Sequence, residues 1–318
     1  MPVFNGQLAI RAAIESVLAQ TFSALELIVV NDGSTDTTAQ ILDEAAAADP
    51  RIRVLTHSEN LGLVASLNNG IAHASTELIA RLDADDLAYP TRLAQQVALF
   101  DEQPDVVLCA TGYERVNAAG EVLAQARPPL SHAALAGALL SGNCICHSSV
   151  MFQRSAVLAV GGYRREWFPV EDYDLWLRLI GIGRYVGLAE ILVGYLVNPD
   201  GVSALNARQE ALARERMLQY LSTWSDITVG AGVANTLNGG LATVGDQRVA
   251  IRVLQHAAHG LDGDLRRRGI DSNGVYAAPM GVGLQVLRHR GRIVRQLTLL
   301  TTAPRLAIRG RKDRSMLA

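Results

Sequence analysis

The first third of the chain alternates between short β-rich apolar runs and longer segments with apolar residues at helical spacing. Residues 25–30 are mostly apolar and β-branched and are followed by the turn-forming residues 31–34, so they are predicted to form a buried strand. The same pattern predicts strands over 52–56, 77–82 and 105–111, and helices over 8–20, 36–48, 62–74 and 90–102. Strands that alternate with helices of this length form βαβ units, so we expect an α/β fold with a parallel sheet.

The pattern weakens beyond residue 120. It still predicts strands over 147–152 and 191–197 and a helix over 170–179. After residue 205 the character changes, with a stretch rich in glycine, threonine and alanine at 228–245 and helical patterns at 209–221, 247–259 and 282–300. We therefore divide the chain into an α/β domain over 1–205 and a helical C-terminal extension over 206–318.

The densest group of charged side chains lies in residues 80–86, Ala-Arg-Leu-Asp-Ala-Asp-Asp, where an apolar run leads into three carboxylates. Carboxylates this close repel one another, so they require water or a cation that accepts oxygen ligands. Asp83 and Asp85 would point the same way from an extended segment, because they are two positions apart. One interpretation is a divalent-metal site at the end of a buried strand. The other is an acidic turn that caps the helix beginning near Pro90.

A second acidic strand end favours the metal interpretation. Asp32 follows strand 25–30 as Asp83 follows strand 77–82, and ligands of such sheets bind outside the carboxyl ends of the strands. Neither Gly-x-Gly-x-x-Gly nor Gly-Lys-Ser/Thr follows the first strands, which disfavours a dinucleotide site and a P-loop. Without a phosphate-cradling loop, a metal ion is the favoured partner for a phosphorylated ligand.

Composition places the 318-residue chain among globular proteins, since 49% of its residues are apolar and 19% are charged. We expect a cytoplasmic protein, because no apolar run reaches the ~18 residues of a membrane span and no basic-then-apolar signal opens the chain. Three cysteines, an odd and small number, fit a reducing compartment. The Cys144-x-Cys146-His147 sequence lacks a second pair of ligands for a closed zinc site, so buried thiols are favoured.

The charge is unevenly distributed along the chain. Residues 284–318 carry nine basic side chains against the single acidic Asp313, which makes this tail +8 in a chain of net charge −2. Two interpretations stay open: the tail touches anionic lipid at the inner membrane face, or it is a solvated end. Nucleic acid is disfavoured as a partner because the tail lacks interleaved aromatic residues.

Several short motifs occur in a fixed order within residues 1–205. They are Pro-Val-Phe-Asn-Gly at 2–6, Ser-Val-Leu-Ala-Gln-Thr-Phe at 16–22, the Asn-Asp-Gly-Ser block within 26–36, Asn-Leu-Gly at 60–62, Asn-Asn-Gly-Ile at 68–71, the acidic stretch at 80–86, His-Ser-Ser-Val-Met-Phe at 147–152, Gly-Gly-Tyr at 161–163 and Glu-Asp-Tyr-Asp-Leu-Trp-Leu-Arg at 171–178. The ordered set resembles the inverting, nucleotide-sugar-dependent glycosyltransferases of family two, which have the GT-A fold: a mixed, mainly parallel sheet flanked by helices. This resemblance favours the metal interpretation of the acidic stretch.

The resemblance implies that donor binding involves residues from two strand ends. Asp32 would accept a hydrogen bond from the imide of a uracil or thymine base, in a pocket lined by Pro2 and Phe4. Asp85 would bind Mg²⁺ or Mn²⁺ at the diphosphate, and Asp83 would contact the ribose or, through water, the metal. The cation would stabilise the charge that builds up on the departing nucleoside diphosphate.

The resemblance also implies an acceptor side of the site. Asp172 would be the general base that takes the proton of the acceptor hydroxyl, and Glu171 would orient the acceptor or the base. One in-line attack would then invert the anomeric centre. For His147 and Arg154 two alternatives stay open, a place near the acceptor or diphosphate and a packed strand end.

The chain departs from the family pattern in two places. Family members carry an apolar strand before Pro-Val-Phe-Asn, whereas here Met1 falls where the last residue of that strand would be. We expect that the true start lies upstream, the alternative being the loss of a central strand. In place of the frequent Tyr-Arg-x-His, the chain has Tyr-Leu-Val-Asn at 195–198, so the basic groups there are absent. Arg178 and Arg208 are candidate substitutes.

The leading hypothesis is a non-processive, metal-dependent bacterial glycosyltransferase that builds a polysaccharide or cell-surface glycan. Its donor would be a UDP- or dTDP-sugar, and its acceptor a glycan or a lipid-linked sugar. Processive synthases have Gln-x-x-Arg-Trp and membrane spans, and sugar-nucleotide pyrophosphorylases have a glycine-rich N-terminal loop with arginine; the chain has none of these. The alternative is a catalytically degenerate GT-A protein that binds a sugar nucleotide without turnover.

Overall fold

The structure, a computed structural model, describes residues 1–139 and 142–197, together with single residues at 212, 213, 215, 216, 219, 263, 266 and 267. The strands are β1 (Pro2–Val3), β2 (Leu27–Asn31), β3 (Ile52–Thr56), β4 (Leu78–Ala80), β5 (Leu87–Ala88), β6 (Val106–Val116), β7 (Val122–Ala126), β8 (Val150–Gln153) and β9 (Arg184–Leu196). The helices are α1 (Ile10–Leu18), α2 (Thr38–Ala48), α3 (Leu63–His73), α4 (Arg92–Glu102), α5 (His132–Leu139), α6 (Arg154–Ala159) and α7 (Glu171–Leu179). The predicted boundary at 205 and, apart from the eight single residues, the predicted C-terminal extension lie outside the described residues.

The first sheet is parallel and has the order β1-β2-β3. β2 pairs with β3 over its whole length, from Leu27 opposite Ile52 to Asn31 opposite Thr56. On its other edge β2 meets β1 at only two positions, Pro2 opposite Val30 and Val3 opposite Asn31. The short β1 therefore covers only the C-terminal half of β2.

The second sheet is mixed and has the order β4-β8-β6-β9-β5, with β7 paired to β6. β6 runs parallel to β9 and antiparallel to β8 and β7. β4 is antiparallel to β8 and has no strand on its other side within the described residues. The acidic stretch 83–86 leaves the C-terminal end of β4, so this sheet edge sets its position.

Three apolar clusters hold the two sheets and the helices together. The largest packs α3, α5 and α7 against the second sheet and includes the fully buried Trp176. A second cluster packs α1 and α2 on the first sheet, and a third lies between α4, β6 and β8. Helix α7 carries acidic side chains in its first turn and Arg178 in its last turn, and this distribution of charge suits the helix dipole.

The predicted elements agree with the structure where the apolar pattern is strong. All five predicted helices of 8–102 and 170–179 are confirmed within two residues at each end, and the strand over 52–56 is confirmed at both ends. The strand predicted over 147–152 is wrong at its start, because His147–Ser149 forms a 3₁₀ turn in which the Ser149 N–H and hydroxyl both bond the Cys146 carbonyl. The late strand begins at Arg184, seven residues before the predicted start.

The elements β1, β5, β7, α5 and α6 were not predicted. The sequence of α5, His-Ala-Ala-Leu-Ala-Gly-Ala-Leu, has no polar face, and six of its eight residues are buried. A helix that is apolar all round shows no 3.6-residue alternation, so periodicity cannot reveal it. β5 consists of only two residues, which is too short for any pattern.

Candidate active site

Three carboxylates converge in the loop between β4 and β5. One oxygen each of Asp83, Asp85 and Asp86 lies within 4.8 Å of the others. Asp83 and Asp85 are half-buried and Asp86 is buried. Hard divalent cations such as Mg²⁺ prefer carboxylate oxygens in this kind of grouping. The donor set therefore fits the metal site predicted at Asp83 and Asp85, and it adds Asp86.

A buried guanidinium lies against the acidic cluster. Arg81 leaves 5% of its surface exposed, and both of its terminal nitrogens bond the Asp83 carboxylate. Its Nη1 also donates to the Ser148 hydroxyl at 2.8 Å, whereas its Nε has no hydrogen-bond partner in the part of the chain that the structure describes. Arg81 thus offsets one of the three negative charges and fixes the orientation of Asp83.

Asp86 connects the acidic loop to the second sheet. The Ser148 hydroxyl donates to one of its oxygens, and the Leu196 N–H donates to the other at 2.9 Å. Burial and the neighbouring charges of Asp83 and Asp85 raise the pKa of Asp86 to about 8. Burial and the charge of Asp83 likewise raise the pKa of Asp85 to about 6. Ionising carboxylates this close together is costly, so a cation bound between them would stabilise their charged forms.

Asp32 lies buried at the end of β2 and is heavily hydrogen-bonded. It accepts from His57 Nδ1 at 2.7 Å, from the Leu61 N–H at 2.9 Å and from the Gly62 N–H at 2.8 Å. Burial alone would raise the pKa of Asp32, but these hydrogen bonds, first that of His57, outweigh it and lower the pKa. Asp32 therefore organises the loop 57–62, and three of the roughly four acceptor positions of a carboxylate are occupied.

The tautomer of His57 follows from its two neighbours. Asn69 donates its side-chain N–H to His57 Nε2 at 2.7 Å, so the ring proton lies on Nδ1 and points at Asp32. The chain Asn69–His57–Asp32 links α3 to the end of β2. Sequence reasoning missed His57, because a single histidine after a strand carries no distinctive signal.

The N-terminal segment is bonded to the loop after β2. The Asp32 N–H donates to the Val3 carbonyl at 2.8 Å, and the Thr35 N–H donates to the side chain of Asn5 at 2.8 Å. Pro2 is buried in this arrangement, whereas Phe4 is 47% exposed. Val3 and Asn5 therefore bond the segment that carries Asp32, while the base pocket at Pro2 and Phe4 stays a prediction.

The predicted general base lies at the start of α7. Asn143 donates to Asp172 Oδ2 at 2.8 Å, and the Tyr173 N–H donates to Oδ1 at 2.6 Å. Burial raises the pKa of Asp172 against these hydrogen bonds, and the charges of Arg81 and Asp83 also act on it. Asp172 is therefore in electrostatic reach of the acidic loop.

Glu171, the residue before the predicted base, is 4% exposed, and its Oε2 has no hydrogen-bond partner among the described residues. Burial and the Asp172 charge raise its pKa to about 8. A buried carboxyl oxygen without a partner is costly, so its natural complement is a polar group of a bound molecule. This environment agrees with a role in orienting an acceptor.

His147 packs among aromatic rings at the same place. Its Nε2 lies 2.7 Å from the Tyr163 hydroxyl, and its ring meets Trp176 edge-on at 5.8 Å. Burial and the Arg81 charge lower the pKa of His147 well below its usual value. His147 is therefore a neutral, packed side chain beside the site.

Two arginines that the sequence analysis left open make structural contacts, so Arg154 fits the packed strand end of its two alternatives. Arg154 bonds the carbonyls of Ile71 and Ala72, at the end of β8 that lies opposite Leu78, away from the acidic loop. Arg178 is held by Asp174 and by the carbonyls of Val160 and Gly162, so it does not replace the missing basic groups. Arg208 and Asn198 lie outside the described residues.

Arg81, Ser148, Asp86 and Asn143 were not among the predicted site residues. The first three stand inside motifs quoted from the sequence, so their positions were available but not their contacts. Ser148 reaches the acidic loop only because β8 pairs with β4, a long-range contact. Asn143 lies 29 positions from Asp172 and carries no local signal.

The family model described as glycosyl transferase family 2 matches residues 1–160. The chain is 35% identical over 204 residues to a putative glycosyltransferase EpsE of Bacillus subtilis, covering 63% of this chain and 72% of that protein. It is 33% identical over 190 residues to the O-antigen biosynthesis glycosyltransferase WbnJ of Escherichia coli, covering 58% of this chain and 73% of that protein. The chain therefore belongs to glycosyl transferase family 2 and is a glycosyltransferase.

Solved structures agree with this fold. Staphylococcus aureus TarS 1–349 in complex with UDP-GlcNAc superposes with a TM-score of 0.54 at 16% identity, covering 90% of this chain and 88% of that one. The mannosyltransferase PcManGT of Pyrobaculum calidifontis, in complex with GDP-Man and Mn²⁺, superposes with a TM-score of 0.53 at 16% identity, covering 95% and 77%. The predicted GT-A fold is confirmed. Among the described helices, none combines the length and apolarity that crossing a bilayer requires.

Proposed function

We propose that this chain is a non-processive, inverting glycosyltransferase that moves a sugar from a UDP- or dTDP-sugar to a glycan or lipid-linked acceptor. The observation that carries the proposal is the clustering of Asp83, Asp85 and Asp86, together with the electrostatic effect of Asp83 and Arg81 on the pair Glu171 and Asp172. The relatives named for O-antigen and amylovoran biosynthesis support a role in polysaccharide assembly. Neighbouring folds that hold UDP-GlcNAc or GDP-Man support a nucleotide-sugar donor.

The acidic loop would hold the donor end of the reaction. Asp85 and Asp83, with Asp86, supply oxygen ligands for Mg²⁺ or Mn²⁺, and a GT-A neighbour with Mn²⁺ supports this assignment. When bound, the cation supplies Lewis-acid stabilisation of the diphosphate. Arg81 fixes Asp83 and offsets its charge, which limits the repulsion between the loop and an anionic donor.

Asp172 would accept the proton of the attacking hydroxyl. Its Oδ1 and Oδ2 are each oriented by one donor, Tyr173 N–H and Asn143, so the carboxylate keeps a fixed direction and retains acceptor capacity. The hydroxyl oxygen would then form the new bond as the proton passes to Asp172, which matches direct displacement and inversion. Glu171 would orient the acceptor through its unpartnered oxygen.

Both candidates use Asp32 to bind the base of the nucleotide. His57 and two backbone N–H groups already occupy three of its acceptor positions, which leaves one for the imide of a base. The missing Tyr-Arg-x-His favours the second candidate, a degenerate GT-A protein that binds a sugar nucleotide without turnover.

The two candidates are separated by a donor screen. Protein loaded with Mn²⁺ or Mg²⁺ is incubated with UDP-, dTDP- and GDP-sugars, and release of the nucleoside diphosphate is measured with and without EDTA. We expect release with a uracil- or thymine-containing donor and its loss with EDTA or in Asp85→Ala. The exposed Asp101→Ala serves as a matched control and should retain release. Donor binding without any release would favour the degenerate protein.

We also propose a cytoplasmic location with the basic tail at the inner membrane face. The tail is residues 284–318, which lie outside the described residues, and its charge supports the proposal. Flotation with anionic liposomes tests it: the full chain should float, and a chain that ends at residue 283 should not. Equal flotation of both proteins would contradict the membrane role.

A further inference from the structure

The two oxygens of the Asp32 carboxylate are not equally occupied. Oδ1 accepts from His57 Nδ1 at 2.7 Å and from the Leu61 N–H at 2.9 Å. Oδ2 accepts from the Gly62 N–H at 2.8 Å. Since each carboxylate oxygen offers about two acceptor positions, Oδ1 is full and Oδ2 retains one.

The hydroxyl of Ser66 is a further polar group near this carboxylate. It helps to lower the pKa of Asp32, and it is itself buried on α3. A hydroxyl has one proton to donate, and that of Ser66 goes to the Gly62 carbonyl at 3.3 Å. The remaining position on Oδ2 therefore stays open to a ligand.

The segments bonded to Asp32 carry exposed apolar side chains. Phe4 is exposed and follows Val3, whose carbonyl accepts from the Asp32 N–H. Leu61 is also exposed, and its own N–H donates to Asp32. A buried carboxylate with one open position, held by segments with exposed apolar side chains, suits a flat ring that has a polar edge.

The side chain at position 57 decides whether Oδ1 is full. The other donor to Oδ1 is a backbone N–H, which is present whatever the residue at position 61. His57 is largely buried, and Asn69 donates to its Nε2 at 2.7 Å, so its single ring proton stays on Nδ1. His57 is thus held as a donor to Asp32 and cannot become an acceptor there.

We propose that His57 sets the base specificity of the site: by filling Oδ1 it leaves Asp32 one acceptor position, which suits uracil or thymine and disfavours guanine. The inference rests on the proposed nucleotide-sugar donor and on base binding by Asp32. Uracil and thymine present one imide N–H between two carbonyls. Guanine presents two neighbouring donors, N1–H and N2–H, and pairs with a carboxylate through both oxygens. With Oδ1 full, one of these donors would be buried without a partner, which is costly.

Cytosine and adenine are disfavoured for a different reason. Each has an unprotonated ring nitrogen beside its amino group, and the lone pair of that nitrogen would face a negative carboxylate. Asp32 is such a carboxylate, because its hydrogen bonds lower its pKa. The fold by itself does not exclude guanine, since its structural neighbour PcManGT holds GDP-Man. The selection therefore depends on the side chains around Asp32.

The test measures the binding of UDP and GDP to the full chain by calorimetry in the presence of Mn²⁺. The two ligands share the ribose and the diphosphate, so the ratio of their affinities reports on the base. His57→Phe and His57→Leu remove the donor and leave different shapes, so either folded variant suffices. His57→Asn keeps an N–H donor close to the position of Nδ1. His73→Phe is the matched control, because His73 is an exposed histidine at the end of α3.

We expect the unaltered chain to bind UDP at least about tenfold more tightly than GDP, because guanine leaves a buried donor unpaired. His57→Phe or His57→Leu should reduce this ratio to about threefold or less, and should do so through tighter binding of GDP. A merely structural role of His57 would weaken both ligands together. The ratio should be kept in His57→Asn and in His73→Phe.

Two results would overturn the role of His57 and leave the proposed function standing. One is equal affinity of the unaltered chain for UDP and GDP, and the other is a ratio that His57→Phe and His57→Leu leave unchanged. Failure of the unaltered chain to bind either diphosphate would instead contradict the proposed nucleotide-sugar donor, and the specificity inference with it. The readout is binding, so it does not depend on turnover.

Discussion

Asp174 lies on the buried side of α7, the helix that carries Asp172, and we expect its ion pairs to stabilise that helix. Its side chain is fully buried and bonds the guanidinium groups of Arg164, Arg178 and Arg216. Burial by itself would raise the pKa of Asp174, but the hydrogen bond of Arg164 and the charges of the other two arginines hold it below its usual value. Arg216 also stacks over Trp167, so this cluster ties Arg216 to the helix that carries Asp172.

Replacing the carboxylate leaves the arginines without their shared partner. Removing one member of a buried ion pair costs about 3–5 kcal/mol. The lower end applies to Asp174→Asn, because the Arg164 side chain is 36% exposed and can turn to water, whereas those of Arg178 and Arg216 are 14% and 11% exposed. At about 2–4 °C per kcal/mol for a domain of this size, a loss of about 3 kcal/mol lowers the melting temperature by about 6–12 °C.

Thermal unfolding of Asp174→Asn is compared with that of Asp105→Asn. Asp105 makes the same kind of two-bond contact with Arg184, but its side chain is 66% exposed, so its replacement should cost less than about 1 kcal/mol. Because the pKa of Asp174 is lowered on folding, the stabilisation should be present at neutral pH and fade as the pH falls below about 4. Equal melting temperatures for the two variants would refute the view that burial makes this cluster a structural support.

Three further outcomes are expected. Gly33→Ala should lower the unfolding free energy by more than about 3 kcal/mol, because φ is +69° and the new Cβ would lie 2.5 Å from a backbone carbon. Gly120→Ala is the control and should cost about 1 kcal/mol, because its φ is +80° but its new Cβ meets open space. Equal losses of unfolding free energy in urea titrations would contradict this. The raised pKa values of Asp85 and Asp86 mean that, without metal, the free energy of unfolding should fall as the pH rises from 4 to 8 and the carboxylates ionise. Mn²⁺ binds the ionised carboxylates, so it should raise the melting temperature more at pH 8 than at pH 5.5. A larger rise at pH 5.5 would argue against metal binding here. Asp172→Asn should keep donor binding in calorimetry and lose transfer, and transfer at the wild-type rate would exclude it as the base.

Apart from the two-residue strands β1 and β5, the sequence alone determined the order of the strands and helices in the first hundred residues, and it determined the carboxyl-end position of Asp32 and Asp83. Both follow from local chemistry, since apolar periodicity reports which face is buried and turn residues report where a strand ends. It failed where that local signal is absent, as in the all-apolar α5, or where a local turn replaces the start of a strand, as at His147–Ser149.

Only the tertiary structure decided what surrounds each carboxylate. Strand pairing brings Ser148 against Asp83 and Asp86, and α3 brings Asn69 against His57, across distances in sequence that no local pattern reports. The physical reason is the same in each case: hydrogen bonds and burial depend on neighbours in space, and only the folded chain brings those neighbours together.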